Sequence, residues 1–153
     1  MAGSQISNTI RDNTDIIYAG ASTGGVFKST DGGLSFFSVF DDLAVLPIGD
    51  IAVDPVNSNI VYAGTGEANG GHNNFAGAGI YKSTNGGQTW NQSGLQSTVT
   101  IGRIVINPLN PLRIYAAAAG SILLQILKEA FTEVMTAELH GQIFYLSMIR
   151  PAQ

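Results

Sequence analysis

The sequence contains no cysteine, which excludes both a disulfide framework and a metal site built on thiolate ligands. Charged residues are also scarce, at 12% of the 153 residues, and the net charge of −4 offers no basic surface of the kind that nucleic acids bind. No apolar run is long enough to cross a bilayer as a helix. We therefore expect no nucleic-acid partner and no membrane span.

Glycine is the residue that the chain has in quantity, with 19 copies and no collagen-like period. Hydrophobic residues make up 44% of the sequence, which is too many for a disordered chain. Many glycines in a hydrophobic chain are typical of short strands joined by tight turns. Ile51 and Val53 alternate with other residues as in a strand that has one buried face. The composition and this alternation indicate an all-β domain.

A glycine-rich segment occurs twice. "GVFKSTDGGLSF" at residues 25–36 returns as "GIYKSTNGGQTW" at residues 79–90, and the segments at residues 48–66 and 101–120 also match each other. Each unit holds about four short strands, and the period of roughly 40–55 residues is typical of propeller blades. We predict an all-β fold, an incomplete β-propeller of about two to three four-stranded antiparallel blades over residues 1–120.

The two copies share a turn in which a short polar side chain meets two glycines. Asp31 is expected to accept hydrogen bonds from turn amides, and the glycines can take the positive φ that such a turn needs. Phe36 and Trp90 are expected to anchor the two hairpins in the core. We interpret the turn as a structural element, and the alternative is that Asp31 holds a bound ion or anion.

The segments S-T-D-G-G-L-S-F and S-T-N-G-G-Q-T-W resemble the Asp-box, or BNR repeat, whose pattern is Ser-x-Asp-x-Gly-x-Thr-Trp. The resemblance implies a propeller of the sortilin-like superfamily of secreted bacterial proteins. Its relatives include xyloglucan-degrading glycoside hydrolases, sialidases and photosystem II assembly factors. The structural Asp-box positions that it implies are Ser29, Asp31, Gly33, Ser35 and Phe36 in the first copy and Ser83, Asn85, Gly87, Thr89 and Trp90 in the second.

The catalytic residues of the xyloglucanase-like family are not matched. In that family a catalytic Asp follows the "YA" strand, and the corresponding position here is Ser22. The second unit has Gly66 there, with Glu67 beside it. Inverting hydrolysis needs a pair of carboxylates, and the four arginines are too scattered to form the cluster of a sialidase. We therefore expect no catalytic residue in this chain.

An insertion at residues 66–79, "GEANGGHNNFAGAG", is the candidate ligand-binding loop, because loops on a rigid scaffold tend to carry function. The candidates are its polar side chains and a phenylalanine able to stack on a sugar: Glu67, Asn69, His72, Asn73, Asn74 and Phe75. The alternative is a solvated connection. The second histidine, His140, lies in the aberrant segment at residues 121–153, so we expect no histidine metal site and no cofactor.

Two functions are compatible with these residues. The first is a fragment of an exported propeller that acts as a non-catalytic scaffold and binds a glycan or a protein. The alternative is a fragment of a xyloglucanase-like glycoside hydrolase whose catalytic carboxylates are absent from this chain. The expected partners are a polysaccharide or a protein, and the remaining blades of the parent propeller. We expect the parent to be secreted or on the cell surface, although residues 1–13 contain no apolar segment and hence no signal peptide.

Residues 121–153 break the repeat. Glycine and turn residues nearly vanish there, so an aberrant tail is expected after the propeller blades. Apolar residues recur at helical spacing in this tail, which predicts a helix that packs on the blades. These residues are Leu123, Ile126, Leu127, Phe131 and Val134.

A one-base slip of the reading frame near Ser121 is a second explanation of the tail. Reading the last base of each codon with the first two of the next turns Met135 and Thr136 into Asp. The same shift turns His140 and Gly141 into Trp if the His codon is CAT. The recovered string is "NPERSIYRSNDGGT-x-W", which is a third Asp-box pattern. We hypothesise that residues from about 122 onward are out-of-frame translation.

Overall fold

The computed structural model describes residues 4–10, 13–67, 75–119, 134–139 and 142–149. In this part of the chain every regular element is a β-strand, and twelve strands form three four-stranded antiparallel sheets. None of the described residues forms a helix that is long and apolar enough to cross a membrane. The all-β prediction is therefore confirmed.

The first two sheets are meanders, in which each strand pairs with the next one along the chain. Blade 1 contains β1 (Ser4–Ile10), β2 (Asn13–Ala21), β3 (Gly25–Ser29) and β4 (Phe37–Ser38). Blade 2 contains β5 (Ile48–Val53), β6 (Val61–Thr65), β7 (Ile80–Ser83) and β8 (Asn91–Gly94). These are the four-stranded antiparallel blades that the repeat predicts.

Among the described residues, hydrophobic side chains pack in two clusters, one at each boundary between neighbouring sheets. Because blade 2 lies between the other two sheets, β5 and β6 are buried along their whole length, not on one face as the alternation indicates. The cluster between blades 1 and 2 is built around Tyr18, Val26, Phe40, Ile51 and Val61, and the cluster between blade 2 and the third sheet around Tyr62, Ile80, Ile101, Ile104 and Ile114.

Close packing of the sheets depends on glycines at equivalent positions of β2 and β6. A Cβ at Gly20 would lie 2.6 Å from Ile48 Cγ2, and a Cβ at Gly64 would lie 2.5 Å from Ile101 Cγ2. Side chains do not come so close, so only glycine lets the isoleucine of the following blade pack on the backbone here. The second strands of blades 1 and 2 thus pack against the first strand of the following blade.

Blade 3 does not follow the meander. It contains β9 (Thr100–Ile106), β10 (Ile114–Ala119), β11 (Val134–Leu139) and β12 (Gln142–Ile149), and the spatial order is β11-β12-β10-β9. Strand β12 therefore takes the place beside the second strand that the third strand takes in blades 1 and 2.

The expected C-terminal helix is wrong for the described part of the tail. Val134, the last of the helically spaced residues, begins strand β11, and residues 142–149 form a strand that pairs with β10. An open edge of β10 presents unpaired backbone groups, and a segment rich in Ile, Phe and Tyr satisfies them as a strand. The other helically spaced residues lie outside the described residues: Leu123, Ile126, Leu127 and Phe131.

Candidate functional site

The first repeat turn, residues 29–36, is held by hydrogen bonds between its own side chains and backbone. The buried Ser29 hydroxyl donates to Asp31 Oδ1 at 2.7 Å and accepts from the Gly33 amide at 2.9 Å. Asp31 accepts from the amide and the hydroxyl of Ser35, at 2.9 and 2.5 Å. The hydrogen bonds from Ser35, and then the one from Ser29, lower the pKa of Asp31 to about 2.

The second repeat turn, residues 83–90, repeats this network with a neutral side chain. Asn85 Oδ1 accepts from the Thr89 amide and Asn85 Nδ2 donates to Thr89 Oγ1, both at 2.9 Å. The Ser83 hydroxyl accepts from the Gly87 amide at 2.8 Å. Because Asn85 holds the turn as Asp31 does, the turn does not require a charge, which supports a structural role over a bound ion.

The aromatic residues that end the two turns behave differently. Trp90 Nε1 donates to the Val39 carbonyl of blade 1 at 2.7 Å, and its ring packs edge-on against Phe40 with centroids 5.1 Å apart. Phe36, in contrast, is 46% exposed. The expectation that Phe36 anchors its hairpin in the core is therefore wrong. The aromatic residue of a turn packs on the preceding blade, and no described residue forms a blade before blade 1.

The candidate ligand-binding loop lies where β6 leads into β7. Residues 68–74 are outside the described residues, and with them Asn69, His72, Asn73 and Asn74. The structure brings the other two candidates together, because the Glu67 amide donates to the Phe75 carbonyl at 2.9 Å. The Phe75 side chain is 51% exposed, so an aromatic ring is available at the base of the loop.

The base of this loop is fixed to the connections that enter blades 2 and 3. The Gly66 amide donates to the Pro47 carbonyl at 2.8 Å, and the Gly77 amide donates to the Val99 carbonyl at 2.7 Å. Pro47 precedes β5 and Val99 precedes β9, so the loop lies at the end of the sheets where the chain passes from blade to blade. Ser22 lies in the β2–β3 turn at the corresponding end of blade 1, and its side chain is buried.

Asp50 is a buried carboxylate whose role was not predicted from the sequence. It accepts a hydrogen bond from the Ile104 amide of blade 3 at 2.6 Å, and Arg103 Nε lies 4.0 Å from the same oxygen. Burial raises the pKa of Asp50, and the Ile104 amide and the Arg103 charge oppose this rise. Asp50 and Arg103 occupy matching positions of "IGDIAV" and "IGRIVI", and their opposite charges were the signal that could have found this contact between blades.

A cavity of about 180 Å³ lies between blade 1 and the second repeat turn. At this volume the cavity is smaller than the roughly 300–1,000 Å³ of typical small-molecule sites. The sequence did not predict it, because its walls come from two blades. Within the described ranges, no group of three or more His, Cys, Asp or Glu side chains is placed to hold a metal ion. The cavity is lined by Val39, Phe40, Asp42, Leu43, Gln88, Thr89 and Trp90.

Comparison with known proteins places the fold. No family model and no curated protein matches the chain. Two solved structures that resemble it are an ancestral GH74 enzyme, at 26% identity and a TM-score of 0.56, and the GH74 enzyme of Niastella koreensis, at 24% identity and a TM-score of 0.60. Each match covers 77% of this chain. The chain is an incomplete β-propeller.

This conclusion rests on the four-stranded blades together with the likeness to the GH74 structures. The propeller spans only a small part of those proteins, 14% of the ancestral enzyme and 17% of the Niastella koreensis enzyme. The chain therefore resembles glycoside hydrolases in its fold, and the predicted fold class is confirmed.

Proposed function

We propose that this chain is part of an exported Asp-box β-propeller of the sortilin-like type, and that its blades bind a glycan without hydrolysing it. One observation carries the proposal. The position that holds a catalytic Asp in the xyloglucanase-like family is the buried Ser22 here. A buried hydroxyl can take neither of the two carboxylate roles in inverting hydrolysis. Asp50 is engaged by the Ile104 amide of the next blade, which supports the same reading.

In this proposal the glycan lies against Phe75 at the base of the loop. The half-exposed ring offers an apolar face for a sugar, and the Glu67 carboxylate offers an acceptor for sugar hydroxyls. The hydrogen bonds of Gly66 and Gly77 to the blade connections hold the base of the loop in place. A surface that is already ordered loses little entropy when it binds a ligand.

Affinity electrophoresis of the 153-residue protein in gels that contain xyloglucan or other β-glucans tests the proposal. We expect retardation in at least one polysaccharide gel and no release of reducing ends. Phe75→Ala should weaken the binding about tenfold, because it removes the apolar contact with the sugar ring.

Phe37→Ala is the matched control, because Phe37 is also half-exposed but lies on the outer strand of blade 1. It should leave the retardation unchanged. Absence of retardation in every gel, or equal loss in the two variants, contradicts glycan binding at the loop.

A second candidate function is favoured by the likeness to the ancestral GH74 enzyme at 26% identity. The chain is then a part of a glycoside hydrolase whose catalytic carboxylates lie on other blades. Release of reducing ends from xyloglucan should be measured for this chain and for a longer protein that adds the rest of the propeller. Hydrolysis by the longer protein alone supports the second candidate, and hydrolysis by the 153-residue chain contradicts both.

A further inference from the structure

The second repeat turn is bound by two side chains of blade 1. The Tyr18 hydroxyl donates to the Gly86 carbonyl at 3.1 Å, and Lys28 Nζ donates to the same oxygen at 2.8 Å. Tyr18 and Lys28 are cross-strand neighbours on β2 and β3, and Lys28 Nζ lies 5.3 Å from the centre of the Tyr18 ring. We call this pair of donors the blade 1 clasp.

The clasp recognises a backbone carbonyl in a particular conformation. Gly86 has a φ of 67°, and Gly86 and Gly87 are both buried against blade 1. A Cβ on Gly86 would lie 3.1 Å from Lys28 Nζ, so the clasp closes over a residue without a side chain. In the first repeat turn Gly32 has nearly the same φ, 70°, but is exposed, since no described blade precedes blade 1.

Blade 2 carries the same pair of donors. Tyr62 and Lys82 are cross-strand neighbours on β6 and β7, and Lys82 Nζ lies 5.3 Å from the centre of the Tyr62 ring, as in blade 1. Tyr62 is nearly as buried as Tyr18, and both lysines are partly buried. Within the part of the chain that the structure describes, the Tyr62 hydroxyl and Lys82 Nζ donate to no carbonyl of a repeat turn.

We propose that Tyr62 and Lys82 form a blade 2 clasp, the binding site for the glycine carbonyl of an Asp-box turn on the following blade. The partner is a hairpin of the pattern Ser-x-(Asp or Asn)-Gly-Gly-x-(Ser or Thr)-aromatic. The site continues an interface that is already built, because Ile101 and Ile104 of blade 3 pack on blade 2 beside Tyr62.

The chain as it stands does not supply this partner in its tail. Strand β12 holds the third-strand position beside β10, with Met148 opposite Tyr115, where blade 2 has Lys82 opposite Tyr62. Residues 121–153 contain no Gly-Gly pair. The Gly-Gly pair of the Asp-box pattern therefore has no counterpart in the sequence of the tail.

The test grafts an Asp-box hairpin onto blade 3 of the 153-residue chain. Residues 119–153 are replaced by copies of residues 22–25, the short turn of blade 1, and residues 80–95, the outer hairpin of blade 2. Equilibrium unfolding in urea is followed by far-UV circular dichroism, with the unaltered 153-residue chain as the reference. We expect the grafted chain to unfold at a higher urea concentration than the unaltered chain.

Tyr62→Phe and Lys82→Met are then made in both chains. In the grafted chain each should lower the folding equilibrium constant about tenfold, because each removes a hydrogen bond to a buried carbonyl. In the unaltered chain each should change this constant less than about twofold. Tyr18→Phe and Lys28→Met are the matched controls, and they should cost about tenfold in both chains because the second repeat turn is present in both.

Two results overturn the proposal. The first is an equal loss from Lys82→Met in the two chains, which shows that another group already binds the clasp. The second is a folded graft that is no more stable than the unaltered chain. If the graft does not fold, a labelled peptide of residues 79–92 is titrated into the unaltered chain. Binding that Lys82→Met weakens about tenfold supports the proposal, and no binding or unaffected binding overturns it. No polysaccharide enters these measurements, so they stand apart from the proposed function.

Discussion

Asp31 and Asn85 occupy the same position in two turns that share one hydrogen-bond pattern. At the scale of single residues, Oδ1 of both side chains accepts a backbone amide. The other terminal atom, Oδ2 in Asp31 and Nδ2 in Asn85, differs in its hydrogen-bonding role. In Asp31 it accepts from the Ser35 hydroxyl, and in Asn85 it donates to Thr89. The charge of Asp31 therefore matters for the response to pH, and less for the shape of the turn.

Protonation of Asp31 is expected to destabilise the chain. Its pKa in the folded protein, about 2, lies below the ordinary aspartate value of 3.8. The carboxylate therefore contributes stability above about pH 4, and this contribution is lost as the pH falls toward about 2. We expect Asp31→Asn, which copies Asn85, to keep the turn at neutral pH and to remove this part of the acid sensitivity. The measurement is the urea midpoint of unfolding at about pH 7, 4 and 2.5.

Asp42→Asn is the control, because Asp42 is exposed at the rim of the cavity between the blades. It should keep the acid sensitivity of the unaltered chain. The raised pKa of Asp50 acts with the opposite sign, since its protonation on acidification favours the folded state, but Asp50 is common to all three proteins. A loss of stability that is as steep in Asp31→Asn as in the unaltered chain contradicts the prediction.

At the scale of strands, the first and second strands of blades 1 and 2 face the first strand of the next blade. Gly20 on β2 and Gly64 on β6 mark the places of closest approach, where an isoleucine side chain meets the backbone. Asp50 adds a polar contact at the boundary between blades 2 and 3 through the Ile104 amide. Contacts between blades therefore depend on a few positions of the inner strands, and a small change at one of them affects the whole boundary.

Gly64→Ala is expected to lower the free energy of unfolding by about 1–3 kcal/mol, because overpacking forces β6 and β9 apart. The new Cβ would lie 2.5 Å from Ile101 Cγ2 and 2.7 Å from Ile101 Cβ. Denaturation in urea measures the loss. Gly24→Ala is the control, because its nearest neighbour is the Ala21 methyl group at 3.2 Å. If Gly64→Ala lowers the free energy of unfolding no more than Gly24→Ala does, the prediction is wrong, and the space between β6 and β9 can accommodate a Cβ.

At the scale of the whole molecule, blades 1 and 2 share one strand order, the meander, and blade 3 has a different one. Strands β5 to β8 follow the order of the chain, whereas the tail enters blade 3 as the β11-β12 hairpin beside β10. Three sheets of this kind are a short arc, since propellers close with four to eight blades. The blade 2 clasp proposed above lies at the boundary where the strand order changes.

The reading-frame hypothesis predicts particular bases in the gene. Sequencing the coding DNA should show CAT for His140 and the bases that turn Ala137 and Glu138 into glycine in the shifted frame. Codons that spell "NPERSIYRSNDGGT-x-W" after a single slip near Ser121 support the hypothesis, because an unrelated tail has no reason to contain them. A CAC codon for His140, with the other required bases also absent, contradicts it.

The repeat by itself determined the four-stranded blades and the Ser-Thr-(Asp or Asn)-Gly-Gly turns, because these depend on neighbours within a few residues. A glycine with positive φ and a hydroxyl two residues before an Asp or Asn are local features, and Ser29 and Ser83 bond within their own turns. The predicted roles of Asn69, His72, Asn73 and Asn74 stay predictions.

Tertiary structure alone decided what each blade meets at its boundary. Three findings depend on the sheet that lies next to a segment: the exposure of Phe36 beside the partial burial of Trp90, the Asp50 contact with Ile104, and the strands of the tail. The sequence of a single strand does not indicate which sheet packs against it. Two copies of one sequence pattern can therefore differ in burial. Burial depends on the neighbouring blade that packs against a turn, whereas the hydrogen bonds within a turn depend on that turn alone.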